Sequence, residues 1–182
     1  MRKTLLHFFT IADFEEEEIW LREQHRKGWK LVKMVPPCFF VFESCEPEDV
    51  IYRLDYKNAD QTAEYMQMLK DFGWEYCGKC FGWLYFRKPT SAAETEEDGE
   101  LFSDNASRVE MVSHIVKTRL LPLCIIFFCC VIPNFVRAFS GDFYGGAEMF
   151  FGIFFGVMFG LYIFLIVYCG LKLKRIRNKY EL

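Results

Sequence analysis

From residue 149 to residue 171 the chain runs 23 residues without a charged side chain, and from 120 to 136 it runs another 17 between Arg119 and Arg137. A membrane's hydrocarbon core of about 30 Å asks for roughly 20 apolar residues in a helix, about 17 at the least. The second run therefore reads as a transmembrane helix over 149–171. The first contains Pro122 and Pro133, and the long stem of Arg137 lets it reach toward the interface, which gives a span over 120–139. Neither run carries a charge, so an ion path or proton relay has no support, and the pair reads as an anchor.

Charge on the flanks sets an expected orientation. Arg108, Lys117 and Arg119 precede the first span, and Lys172, Lys174, Arg175, Arg177 and Lys179 follow the second. The connecting segment has one positive residue, Arg137, against Asp142 and Glu148. Lys and Arg collect on the cytoplasmic side. Both termini are then cytoplasmic, residues 140–148 form an extracytoplasmic loop, and 172–182 form a basic tail. The expected location is the cell membrane, with the chain an integral, multi-pass protein. The net charge of −3 averages two unlike halves. The half before the spans has acidic runs at 15–18 and 94–98 and no basic patch, which argues against nucleic-acid binding.

That half repeats itself. Gly28-Trp29 aligns with Gly73-Trp74 at an offset of 45, which also places Trp20 on Tyr65, Leu21 on Met66 and Phe9 on Leu54. With one gap, residues 40–42 (FVF) fall on 84–86 (LYF). Each copy, about 4–43 and 50–88, reads strand, helix, strand, strand. In copy one Asp13 stands as N-cap with Glu16 three residues on, the capping-box spacing, and residues 15–18 put four glutamates where the helix dipole favours them. Phe14, Leu21 and Gly28 share a face, as do Ala63, Met66 and Leu69 after an Asp60 cap in copy two. Gly28 and Gly73 sit at left-handed C-cap positions, and a tryptophan opens the next strand. The start, Met1-Arg2-Lys3 and the apolar residues 5–12, is followed by no small-residue cleavage site and reads as a strand. The expected fold is α+β: residues 1–89 form one antiparallel-rich sheet with two helices on one face, followed by a two-helix transmembrane hairpin. An acidic linker occupies 90–102, and a juxtamembrane helix capped at Ser103-Asp104-Asn105 occupies 103–119, running until Pro122.

Cys77-Gly-Lys-Cys80 has the spacing of a zinc or redox motif. The repeat puts Cys77 in a strand and Cys80 beside the hairpin turn at Phe81-Gly82, whereas a redox pair needs its first thiol at a helix N-terminus. A zinc site would need four ligands, and Cys38 and Cys45 are the other candidates. A zinc- or thiol-dependent protein using Cys38, Cys45, Cys77 and Cys80 is the alternative reading. His7, His25 and His114 have no nucleophile beside them in sequence, and there is no phosphate loop. No catalytic constellation and no cofactor are expected.

The ordered series FTIADFEEEEIWLREQHRKGWKLV, IYRLDY, FGWEYCGKCFGWLYFRK and ELFSDNASR resembles the DUF2812 domain, a domain of unknown function in Gram-positive bacterial membrane proteins. The resemblance covers about residues 5–110. It implies a soluble domain ahead of transmembrane helices and, by gene context, a regulatory partner of the PadR repressor type; it brings no activity or catalytic residue.

The expected function is a membrane-anchored cytoplasmic module for sensing or regulation, binding a protein or small ligand, in envelope or stress response. A cleft between the two copies would draw on Trp20, Trp29, Tyr65, Trp74 and Trp83, suited to a flat apolar or cationic ligand. Gly152, Gly156 and Gly160 recur every four residues and give the second span a face for close helix contact. The first span offers few small residues to fit it, so a homodimer through the second span is expected.

Overall fold

The computed structural model describes residues 1–56, 63–93, 95, 97–101, 105–140 and 148–181. The expected caps at Asp60 and at Ser103-Asp104, and residues 141–147 of the expected loop, lie outside the described residues. The chain divides into two compact units, Met1–Met111 and Val112–Leu182.

The first unit runs β1 (Arg2–Leu6), α1 (Phe14–Arg26), β2 (Trp29–Val35), β3 (Phe39–Ser44), β4 (Val50–Tyr56), α2 (Ala63–Asp71), β5 (Glu75–Cys80) and β6 (Trp83–Pro89). In place of one sheet there are two, antiparallel and three-stranded, ordered β1-β3-β2 and β4-β6-β5. A bulge explains the break. The ladder slips between Leu31 and Lys33 in β2, and between Tyr76 and Gly78 in β5. Both are edge strands, and an extra residue leaves a backbone group unpaired and bends the strand. The two edges approach without forming a ladder. Arg87 Nη1 bridges them with a 3.2 Å bond to the Leu31 carbonyl.

The helices do not share a face either. In the second sheet Tyr52, Leu54 and Tyr56 pair with Arg87, Tyr85 and Trp83, and the residues between them point the other way. On the first face α1 packs: the Phe14 ring is 5.2 Å from Trp83, and Glu17 and His25 bond to Tyr85 and Tyr52. On the second face Ile51, Leu84 and Phe86 form a core with Leu69 of α2 and with Trp74. The opposite side of α1 meets the first sheet, where Trp20 lies 4.9 Å from Phe40 and 5.7 Å from Phe42. The layers therefore run sheet, α1, sheet, α2. Strands buried on both faces need a continuous apolar run, and Trp83 to Phe86 are all buried. In β3, with one face open, Phe40 and Phe42 are buried while Phe39 is exposed.

Gly28 closes α1 at φ +81°, and Gly73 closes α2 at φ +82°. Gly73 N bonds Lys70 O, and Trp74 N bonds Leu69 O, both at 2.9 Å, which is a Schellman stop. A Cβ on Gly28 would stand 3.0 Å from the Cys45 carbonyl oxygen, so that position needs glycine twice over. At the start of α1 the expected capping bond is absent. The Asp13 carboxylate turns back to accept from Thr10 N at 2.8 Å and Thr10 Oγ1 at 2.7 Å. The segment read as a linker is packed against the domain. Lys88 Nζ donates to Asp98 O, Glu100 forks onto Arg53, and Ala93 and Leu101 pack on the α2 core.

A continuous helix runs as α3 (Asn105–Ile115), α4 (Leu121–Ile126) and α5 (Ile132–Phe139), joined by π-turns at Val116–Leu120 and Phe127–Val131. It does not end before Pro122. Each π-turn finishes two residues ahead of a proline, where the ring removes a donor and crowds the preceding carbonyls; the wider turn makes room. The first unit ends within α3. The last helix, α6 (Glu148–Tyr180), continues through the basic tail. Within the second unit, α6 meets the first span through Phe159, which lies 5.4 Å from Phe127 and 4.5 Å from Phe135. Segments Ala106–Ala138 and Phe150–Tyr180 are both long and apolar enough to cross a membrane.

Candidate functional site

One opening in the first unit lies between α2 and β5. It is a cavity of about 620 Å³ lined by Met66, Trp74, Tyr76 and Phe86 together with Gln67, Lys70 and Glu75. Its shape follows from local structure. Gly73 stops α2 abruptly, so Trp74 re-enters beneath the helix it has just left. Tyr76, two residues on, stands on the same side of the strand, and its ring lies 5.6 Å from Phe86 across the ladder. Leu69 is buried, but Ala63, Met68 and Phe72 of α2 are exposed. The helix therefore covers its sheet at one edge and leaves space at the other.

A smaller cleft of about 230 Å³ follows the seam between the two sheets, with His25, Lys30, Glu75 and Arg87 among its walls. Tyr52 accepts from Leu31 N–H at 3.3 Å and stands 2.8 Å from His25 Nδ1. Burial, with help from the positive charges of Arg87 and Lys30, takes the His25 pKa down to about 4, so the ring is neutral. Arg87 forks onto Glu75 at 2.7 and 2.6 Å, and this bond holds the Glu75 carboxyl below its usual range. This cluster locks one sheet to the other.

The five aromatic residues expected to share a cleft are distributed over separate clusters. Trp20, half-buried, stacks on His7 at 4.7 Å and packs on Phe40 of the first sheet. Trp29 is half-buried beneath Lys3, whose Nζ is 4.2 Å from the ring centre. Trp83 packs between Phe14 and Tyr56. Tyr65, which donates to Asp55 Oδ2 at 2.6 Å, and Trp74 alone fall in one cluster, that of α2. The reason is the interleaved layering: α1 and the second sheet stand between the core of the first sheet and that of α2. Met66, Tyr76 and Phe86 were not singled out as site residues, although the alternation of Trp74 and Tyr76 was a usable signal.

The four candidate metal cysteines are also dispersed. Cys38 is buried in the β2–β3 turn, and Cys45 follows β3. Cys77 is the residue the β5 bulge leaves out of the ladder, with Sγ 3.7 Å from the Glu75 carbonyl. Cys80 pairs with Trp83 and closes a two-residue turn in which Phe81 and Gly82 take φ +49° and +91°. Among the described residues no three His, Cys, Asp or Glu side chains form a metal-holding group. Burial pushes the Cys77 thiol up to about 12, the opposite of an activated thiolate.

The sequence reading put the four glutamates of 15–18 where the helix dipole favours negative charge; of these, Glu17 is only 5 % exposed. Its pKa rises to about 7 because burial disfavours the charge more than the Tyr85 bond supports it. Glu18 accepts from Leu54 N at 2.8 Å and pairs with Arg53 at 3.2 Å. Glu100 and Arg108 extend that pair into a chain of alternating charge.

An α+β domain followed by two helices long enough to cross a membrane is the class of protein these elements define. The family model described as a protein of unknown function, DUF2812, matches residues 13–125, and the chain belongs to that family. No curated protein and no solved structure matches it.

Proposed function

We propose that this is a membrane-anchored protein whose first unit is a cytoplasmic sensing or regulatory module that takes a small amphipathic ligand beside α2. The cavity carries the reading. Its volume of about 620 Å³ falls within the range of small-molecule sites, and its lining combines aromatic and thioether side chains with Gln67, Lys70 and Glu75. Such walls suit a flat apolar or cationic ligand. The cytoplasmic placement rests on the Lys and Arg of the flanks.

Two further observations support the finer reading. The two halves of the domain share strand order, bulge position at the offset of 45, and left-handed glycines at the helix ends, which favours a duplicated unit. In α6 a Cβ placed on Gly152, Gly156 or Gly160 would meet nothing within 4 Å, so the first span does not fill that face. An open small-residue face favours a homodimer through α6.

The ligand reading is tested by titrating the full chain in micelles with amphipathic cations and envelope-stress compounds while following tryptophan fluorescence. Saturable quenching is expected, and Trp74→Phe should remove it. The absence of saturable quenching across the set would leave a protein partner as the reading of the module.

A further inference from the structure

The inference rests on the membrane-anchored reading and concerns the end of the helical pair at which both apolar runs begin or finish. Leu120 Cδ2 lies 3.9 Å from where Gly170 would carry a Cβ. The rings of Phe127 and Tyr162 stack at 6.2 Å further along. These contacts fix an antiparallel register in which residue 120 stands level with residue 170.

The register has an electrostatic consequence. Lys117 and Arg119 lie one to three residues outside Leu120, and Lys172, Lys174 and Arg175 lie two to five residues outside Gly170. At 1.5 Å per residue all five come within about two helical turns of one plane. Neither 111–120 nor 171–180 contains an acidic residue. Glu181, the next carboxylate after α6, is engaged by Arg177 at 3.2 Å, beyond the five. Lys117, Arg119, Lys174 and Arg175 are exposed, and Lys172 is half-buried with its Nζ 5.7 Å from the Tyr168 ring. The opposite end of the pair contributes Arg137 among its described residues.

We propose that these five cations form a collar that binds anionic phospholipid in preference to zwitterionic lipid. The ligand class follows from position and chemistry. Side chains immediately outside an apolar span sit at the headgroup layer, where the fixed negative charge is the lipid phosphodiester. Arg119 and Arg175 can fork onto phosphate oxygens, while the lysines supply point charges on long stems that lie along the helix surface. A zwitterionic headgroup presents the same phosphate with its own cation attached and gains less from the collar.

The test uses the full chain reconstituted in phosphatidylcholine vesicles with a trace of spin-labelled phosphatidylglycerol or spin-labelled phosphatidylcholine. The readout is the motionally restricted fraction of each label. The phosphatidylglycerol label should associate about fivefold more strongly than the phosphatidylcholine label, the effect of roughly one such cation beside one headgroup. The preference should fall toward one at about 1 M salt, where the Debye length is about 3 Å. The combined variant K117Q/R119Q/K172Q/K174Q/R175Q should lose it, and R137Q should keep it. Equal association of the two labels with the unaltered chain overturns the collar, as does a preference that disappears in R137Q. A chain that restricts neither label fails as a membrane anchor, a result distinct from equal restriction of both. A preference kept by the five-residue variant overturns the collar too, and where that variant does not insert, a preference of the unaltered chain that survives about 1 M salt overturns it.

Discussion

Tyr85 on β6 donates its hydroxyl proton to Glu17 Oε1 of α1 at 2.8 Å, between a helix of the first half of the domain and a strand of the second. The carboxyl is buried there, with a pKa raised from 4.5 to about 7. A carboxyl whose folded pKa exceeds its unfolded value keeps its proton in the fold after the unfolded chain has lost it. Its effect therefore favours folding at low pH and disappears as pH climbs from about 4.5 through about 7.

His25 acts in the opposite direction, since its pKa falls to about 4 and stability is gained as pH rises toward 6.5. The difference between wild type and Glu17→Gln cancels that term. The variant should be the more stable by up to about 3 kcal/mol at pH 7.5, with the gap closing near pH 4.5. Chemical denaturation of the full chain in micelles across pH gives the measurement. A difference that does not vary with pH would falsify the assignment.

Gly28 and Gly73 have nearly the same φ but different surroundings. A methyl at Gly28 meets a backbone oxygen at 3.0 Å, whereas at Gly73 it meets the flexible end of Lys88 at 3.5 Å. Gly73→Ala should cost about 1 kcal/mol for the left-handed backbone alone. Gly28→Ala should cost about 2 kcal/mol or more, because the Cys45 backbone must also give way. Denaturation midpoints of the two variants decide it, and equal losses would mean that the contact at Cys45 is not close.

Trp74 is 4 % exposed in the α2 core, while its counterpart Trp29 is half-buried under Lys3. Trp74→Ala removes a large buried ring and should cost about 3–5 kcal/mol, enough to abolish a cooperative melt. Trp29→Ala should cost less and leave the melt cooperative. The reverse order in thermal scans would contradict the layering of α2 on the second sheet.

The homodimer reading predicts that Gly156→Ile abolishes self-association of the 149–171 span in a membrane two-hybrid assay. The added branch occupies a face that is open in the single chain, so contacts with Phe127 and Phe135 should survive. If the wild-type span does not associate with itself, the glycines do not serve a dimer.

Local chemistry made several elements legible from the residues alone. The left-handed stops at Gly28 and Gly73 could be read because only glycine takes that backbone without strain, and the tryptophans after them marked the strands. The two apolar runs could be read because a membrane-length helix is a property of consecutive residues. The hairpin turn at Phe81-Gly82, with both cysteines in a strand, followed from aligning the two copies.

Partner choice between elements was not legible. Trp83, Leu84, Tyr85 and Phe86 are apolar in succession, a pattern shared by a strand covered on both faces and by a short buried helix. That α1 takes one face and α2 the other depends on where the chain crosses, and no local preference encodes it. The same crossing buries Glu17 against Tyr85 although its neighbour Glu16 stays exposed, and it puts Trp20 and Trp74 in different cores. It also opens the cavity beside α2, because among the described residues no further sheet covers that helix as the second sheet covers α1. Residue type and spacing determined the strands of the domain and the glycine stops of its two helices. Long-range packing decided the layers, the protonation of Glu17 and the place where a ligand could fit, because each depends on residues far apart in the chain.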